Sequence, residues 1–345
     1  YEPVAGTRYH IVRSHPCPRG LWLDMEGPSE RPQRSHDSEV AEEGVTRVVR
    51  TRIVGSLGAA ALIATSLSGT AIAQDSDYEI AFAIPTSQAT YFTAYDNAVK
   101  ELADELGVEV KFAFAENDAA KQNQQVAEFM TAGADAVVVA PVDVDASLPG
   151  ITAYADAEEP IITSNRFVNG DYGDIDGANP KVHTGFSDYE IGRNLGELMI
   201  VACGDKDPCN VIMEQGTIGS SPQIERDRGA FEVLEANAAI NVVDKQTNDF
   251  QQSKAIELTD QLMVKHPAGT VDVIGVHDDA SAVGVVTSVE RAGRDDEINV
   301  VGVGGSIEGV DAIAEGRMFG TVWVSPRLDG ILALQAALAL LEGET

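Results

Sequence analysis

From Tyr78 onward, short β-rich apolar runs alternate with amphipathic segments of helical period, and that alternation leaves few folds open. Parallel strands need long crossovers, and helical crossovers cover both faces of the sheet they connect. The expected strands are Ile80 to Pro85, Val108 to Ala115, Ala136 to Pro141, Pro160 to Asn165 and Val182 to Ser187. A second set follows at Asn210 to Gln215, Ile240 to Gln246, Val271 to His277, Ile298 to Gly304 and Phe319 to Val324. Between the first two, Tyr91 to Leu106 reads as a helix burying Tyr91, Ala94, Ala98, Leu102 and Leu106, with Gly107 as its stop. The stretch Asn169 to Pro180, with Gly170, Gly173 and Gly177, reads as a loop between the two sets. The chain has 345 residues, more than a single core comfortably holds. The expected fold is therefore α/β and two-lobed, each lobe a doubly wound, mostly parallel sheet with helices on both faces. Ligands of such sheets bind beyond the strand ends, here in a cleft between lobes.

Residues 1–44 carry no clear apolar period and are rich in Arg, Pro, Ser and Glu, so they read as a disordered or non-native leader. The chain opens on Tyr1, and a start at Val45 is an alternative that N-terminal sequencing separates. Residues 45–73 have the layout of a secretory signal: Arg47, Arg50 and Arg52, an apolar stretch Ile53 to Leu67, then the small-x-small site Ala71-Ile72-Ala73. The expected mature start is Gln74, and the expected location is periplasmic or otherwise extracytoplasmic. The apolar stretch is shorter than the roughly 20 residues that span a bilayer, which argues against an anchor. No membrane insertion is expected after the signal is removed.

Residues 1–73 hold eight basic and eight acidic side chains, so the rest of the chain keeps the whole formal net charge of −31. A field of that sign repels phosphate backbones and anionic lipid, which argues against nucleic-acid and membrane-surface partners. Beyond Gln74 there are two cysteines, Cys203 and Cys209, separated by Gly204-Asp205-Lys206-Asp207-Pro208. Export to an oxidising compartment makes a local disulfide the expectation; no neighbouring His or second Cys pair supports a metal site.

Several segments resemble the ribose and galactofuranose type of periplasmic binding protein. They are Ile80-Ala81-Phe82-Ala83-Ile84-Pro85, Tyr91-Phe92, Gly133 to Pro141, Pro160 to Arg166, Cys209 to Ser220, Arg226 to Phe231, Asp249-Phe250, His277-Asp278-Asp279 and Val300-Val301-Gly302. They occur in order over nearly all of Tyr78 to Glu344. The resemblance implies a Venus-flytrap with a first lobe of residues 78–183 plus 326–345 and a second of 184–325. It implies crossings near His183 to Phe186 and Val324 to Pro326, and a third beyond Thr345. It further implies a monomer that hands a sugar or polyol to the membrane permease of an ABC transporter, with no cofactor.

Sugars present hydroxyls at the ring edge and C–H groups on the ring face, so a site needs bidentate polar groups and flat apolar ones. Arg166 and Arg226 offer planar forks for adjacent hydroxyls, and Asn165 offers both donor and acceptor. The family places hydroxyl-binding residues at these three positions. The other reading of each arginine is a surface residue paired with a neighbouring carboxylate, but Arg226 is expected to be at least partly solvated in the cleft, an affinity residue whose loss leaves the ligand-free fold nearly unchanged. Tyr91, Phe92 and Phe250 match positions that the family stacks on the ring, with helix-face packing as the other reading of each, above all of Phe92. Trp323, near the second crossing, is a candidate cap. His277 reads either as a ligand contact or as a core histidine, and the ligand contact is expected; Asp278 follows it at the same strand end. Four positions depart from ribose binders: Ala89, His277, Gly304 and Val324 stand where those carry Asn, Asn, Asp and Gln. The lost acceptors argue against ribose itself.

Gly302-x-Gly304-Gly305 with Gly309 lacks the full dinucleotide spacing and falls late in the chain. No nucleophile elbow, His-Glu-x-x-His or Walker loop occurs, so no enzyme is expected. A sugar-responsive repressor would need a basic helix-turn-helix where the signal lies. A sensory role, presenting a sugar or furanosyl signal to a chemoreceptor or sensor kinase, uses the same fold and is the alternative to transport.

Overall fold

A computed structural model describes residues 10–12, 78–168 and 182–343. The secretory signal expected at 45–73, the loop expected at 169–180 and most of the leader lie outside the described residues.

The first lobe begins with β2 (Glu79–Ile84), whose residues Ile80 to Ile84 are completely buried. A strand apolar at every position must be covered on both faces, as a central parallel strand is. Accordingly β2 pairs in parallel with β3 (Glu109–Phe114) on one side and β4 (Ala136–Val139) on the other. β5 (Ile161–Ser164) and β6 (Val182–Thr184) extend the sheet to the order β3-β2-β4-β5-β6. The helices α1 (Thr90–Leu106), α2 (Ala119–Ala132) and α3 (Leu148–Asp156) connect the strands. Asp118 caps α2 by accepting from the backbone N–H of Ala120 and Lys121, and Gly133 ends it in a left-handed conformation.

The second lobe repeats the order: β7 (Cys209–Gln215) lies between β8 (Ile240–Thr247) and β9 (Val273–Val276), followed by β10 (Asn299–Gly304) and β11 (Gly320–Trp323). Its crossovers are α4 (Asp188–Cys203), α5 (Ser221–Glu235), α6 (Gln252–Lys265), α7 (Asp279–Arg291) and α8 (Ile307–Ala314). The chain enters this lobe between β6 and α4 and returns from β11 through Val324 and Ser325 into α9 (Pro326–Leu341). Ala333, Leu334 and Ala337 of α9 pack with Phe92, Tyr95 and Val99 of α1 in the first lobe's core. Each fully buried Ile, Leu or Phe contributes about 1.5 to 3 kcal/mol, so four clusters, one on each face of each sheet, hold the fold.

All ten expected strands are present. Three expectations fail locally. α1 has the predicted span and Gly107 stop, but it buries Phe92, Tyr95, Val99 and Ala103, while Ala94 and Leu106 are exposed. The buried stripe is one residue on from the predicted one because the aromatic rings of Phe92 and Tyr95 bury more surface than the alanines. Within the leader read as disordered, β1 (His10–Val12) pairs antiparallel with β11, satisfying backbone groups on that open edge. The third concerns His277 and is described with the site. The expected disulfide joins Cys203, at the end of α4, to Cys209, at the start of β7, with Cα atoms 5.9 Å apart.

Candidate ligand-binding site

A cavity of about 450 Å³ lies between the lobes, where the C-terminal ends of both sheets converge. The first lobe lines it with Tyr91 and Phe92 from the start of α1 and with Asn165 and Arg166 from the turn after β5. The second contributes Arg226 from α5, Phe250 from the turn after β8, and Asp278 from the end of β9. Seven of the nine candidate residues therefore meet on one wall system. Two backbone donors of the first lobe bond across the cleft, Val144 N–H to the Gly219 carbonyl at 3.0 Å and Phe167 N–H to Ser221 Oγ at 3.1 Å.

The two arginines are held differently. Arg226 donates from Nε to Asp188 Oδ1 at 2.9 Å and from Nη1 to the His277 carbonyl at 2.5 Å, and it is 7% exposed. This ion pair depends on close packing of α4 and α5: a Cβ at Gly192 would sit 2.1 Å from the Arg226 carbonyl, and one at Gly229 2.1 Å from that of Tyr189. Glycines on both helices let the backbones touch, which brings Asp188 beside Arg226. Burial raises the Asp188 carboxyl, and Arg226 opposes that rise. The expected solvated arginine is thus a buried structural ion-pair member that also lines the cavity.

Arg166 is 3% exposed, yet among the described residues it makes one long hydrogen bond, Nη1 to the Pro141 carbonyl at 3.3 Å, and its Nε finds no partner there. Burial lowers its pKa to about 10. Its guanidinium lies 5.7 Å from the Phe92 ring centre and 5.6 Å from that of Phe250, within cation–π reach of both. Phe92 is 3% exposed and packs edge-to-face on Tyr91 and Tyr95, so helix-face packing and the cavity wall are both its roles.

Phe250 is placed by strain and a polar brace. Asp249 and Phe250 both have positive φ, 57° and 58°, a conformation costing about 1 to 3 kcal/mol at each such residue. The brace is Asn248, whose Oδ1 accepts the Phe250 N–H at 3.0 Å and whose Nδ2 donates to Glu214 Oε2 at 3.2 Å. Glu214 in turn accepts from Thr259 Oγ1 at 2.6 Å. Burial pushes the Glu214 carboxyl up to about 7 against those hydrogen bonds. The ring fits only over a glycine, since a Cβ at Gly216 would be 1.9 Å from Phe250 Cζ.

Two candidates do not reach the cavity. His277 is fully buried, with Gly216 N–H donating to Nδ1 at 3.3 Å and Nε2 lying 3.4 Å from Asp227 Oδ1. Burial lowers its pKa, which favours the neutral ring. It is a core histidine, and the expected ligand contact is corrected. Its carbonyl, not its ring, serves the site, because strand alternation turns the side chain inward while Asp278 faces the cleft. Trp323, 42% exposed at the end of β11, packs against Gly305 and is not on the cavity wall. Asp278 caps α7 by accepting from the Ser281 N–H at 3.1 Å, and its Oδ1 finds no hydrogen-bond partner among the described residues.

Sequence reasoning missed Asp188, Glu214 and Asp329. Asp329 had a readable signal, being the single acidic residue of a helix otherwise apolar on nearly every face. Among the described residues no group of three or more His, Cys, Asp or Glu could hold a metal ion, and no helix is long and apolar enough to cross a membrane.

The chain matches the periplasmic binding protein domain over residues 80–345. It belongs to that family. This periplasmic binding protein is 28% identical to the ribose import binding protein of Haemophilus influenzae over 84% of its own length and 93% of that protein's. It is 26% identical to the galactofuranose-binding protein of Escherichia coli, over 77% of its own chain and 83% of that one. Among solved structures it is similar to a Mycobacterium smegmatis protein in complex with β-D-fucofuranose, with a TM-score of 0.70 and 26% identity, covering 77% of this chain and 86% of the other. These relatives are binding proteins and not enzymes.

Proposed function

We propose that this protein captures a small polyhydroxylated ligand, a sugar or polyol, between its lobes and delivers it to the permease of an ABC transporter outside the cytoplasm. The observation that carries the reading is the pair of buried guanidiniums, one from each lobe, converging on a cavity with the Phe250 ring between them. Arg166 has donors without partners among the described residues, Asn165 and Asp278 add an amide and a carboxylate, and the rings of Tyr91 and Phe250 suit C–H faces. Such an array leaves its polar groups under-satisfied until hydroxyls arrive, which is the basis of selectivity in polar sites. A ligand bonded to both lobes at once favours the closed arrangement by its differential affinity. The resemblance to ribose, galactofuranose and fucofuranose binders supports the ligand class.

A melting screen against aldopentoses, aldohexoses in pyranose and furanose forms, and polyols tests this. A ligand at 100 times its dissociation constant adds about 2.7 kcal/mol of stability, a rise of several degrees. A protein that no sugar or polyol shifts at millimolar concentration refutes the proposal.

A further inference from the structure

The first lobe holds two buried carboxyls, Asp96 and Asp329, that the site has not yet used. Asp329, in the first turn of α9, is completely buried and stands on the helix that returns from the second crossing. Its Oδ2 accepts the Tyr91 hydroxyl at 2.9 Å. The Asn165 amide lies close enough to the carboxyl to favour its charged form, without a well-formed bond to Oδ1. Tyr91 and Asn165 arrive from different elements, α1 and the turn after β5, and both line the cavity. Asn165 sits there at φ 62°, a conformation that asparagine tolerates when its side chain is held. Without an acceptor behind them, a tyrosine hydroxyl and an amide on a cavity wall are free to turn towards solvent.

Resting on the proposed reading of the cavity, we infer that Asp329 is a positioning residue: it fixes the Tyr91 hydroxyl and the Asn165 amide in the cavity wall and thereby sets ligand affinity without touching ligand. Its place at the start of α9 links those two contacts to the segment on which the lobes are joined. Burial pushes the carboxyl up to about 7, so its charge changes in an accessible range. The titratable groups around it are Tyr91, Tyr95 and Asp96 on α1, His183 on β6, Asp188 on α4 and Arg166 after β5. Burial raises both tyrosines and lowers His183 to about 4, which places them outside that range, and raises Asp96 to about 6.

The test has a ligand-free arm and a binding arm. In ligand-free protein, the side-chain amide resonance of Asn165, assigned by its loss in Asn165→Ala, should titrate with a midpoint near pH 7. In Asp329→Asn that transition should vanish, while Asp96→Asn should keep it. A resonance flat across pH 5 to 9, or unchanged by Asp329→Asn, overturns the inference. In calorimetry with D-ribose, L-arabinose and myo-inositol as probes, Asp329→Asn should weaken whichever binds by at least about tenfold. Adding Tyr91→Phe should weaken it little further, because the two act as one unit. Wild-type affinity in Asp329→Asn overturns the role in binding. Should the wild type bind no sugar or polyol, the proposed function fails, and the resonance still decides whether Asp329 positions the wall.

Discussion

In the first lobe, β2 and β4 fill the interior with Ile80, Phe82, Ile84 and Val137 to Val139, whereas in the second, β7 brings Glu214 inside and the end of β9 brings His277. Both lobes have the same strand order and both are closed to water. The first relies on apolar burial, which is non-directional and tolerant of small shifts, with two local polar sets inside it, Gln122 bonded to Ala83, Ala140, Val142 and Ser147, and Asp329 bonded to Tyr91. The second adds a chain of buried polar groups, Asp188 to Arg226 to the His277 carbonyl and Thr259 to Glu214 to Asn248, in which each member satisfies the next. Such networks place groups accurately and are expensive to break at one point.

The largest expected effect contrasts the two cavity arginines. Arg226→Ala leaves Asp188 buried without its partner and should destabilise the ligand-free protein by about 3 to 5 kcal/mol in urea unfolding. Arg166→Ala removes a buried charge with one long hydrogen bond and should cost less than about 1 kcal/mol, while still weakening ligand binding. Equal losses from the two variants would break the comparison.

Next is the dependence of stability on pH. Burial raises Glu214 and Asp329 to about 7 and Asp279 and Asp96 to about 6, far above unfolded carboxyls near 4. Between pH 4 and 7 the folded protein binds more protons than the unfolded one, so stability falls as pH rises through that window and levels off above it. His183 and His277, lowered by burial, partly oppose this within the window, and Asp244, Glu290 and Glu297, held low by hydrogen bonds from their basic neighbours, oppose it below about pH 4. The melting temperature should therefore peak near pH 4 and drop by several degrees towards pH 8. Glu214→Gln should remove on the order of 3 kcal/mol of that pH-dependent loss, and comparison with Asp96→Asn shows which lobe sets it. A melting temperature that climbs from pH 5 to 8 contradicts the assignment.

The smallest effect belongs to the disulfide. It closes a loop with a sequence separation of 6, so replacing both Cys203 and Cys209 by serine should cost about 2 kcal/mol or less, all within the second lobe. Reactive thiols at both Cys203 and Cys209 in denatured mature wild-type protein taken from the oxidising compartment would show that the bond does not form.

The alternation of apolar runs and amphipathic segments was enough to place ten strands, the two-lobed division and a cleft at the strand ends, because period and burial are local consequences of residue order. The family resemblance singled out Tyr91, Phe92, Asn165, Arg166, Arg226, Phe250 and Asp278, and the fold brings these seven to one cavity because they follow the C-terminal ends of strands. Which way each side chain turns and what it bonds to were decided only in three dimensions. His277 faces inward because β9 alternates there, Arg226 became a buried ion-pair member because Gly192 and Gly229 let α4 and α5 touch, and Asp329 reached Tyr91 across 238 residues of chain. Contacts of that kind join segments remote in sequence, so their energies appear only once the packing that makes them is complete.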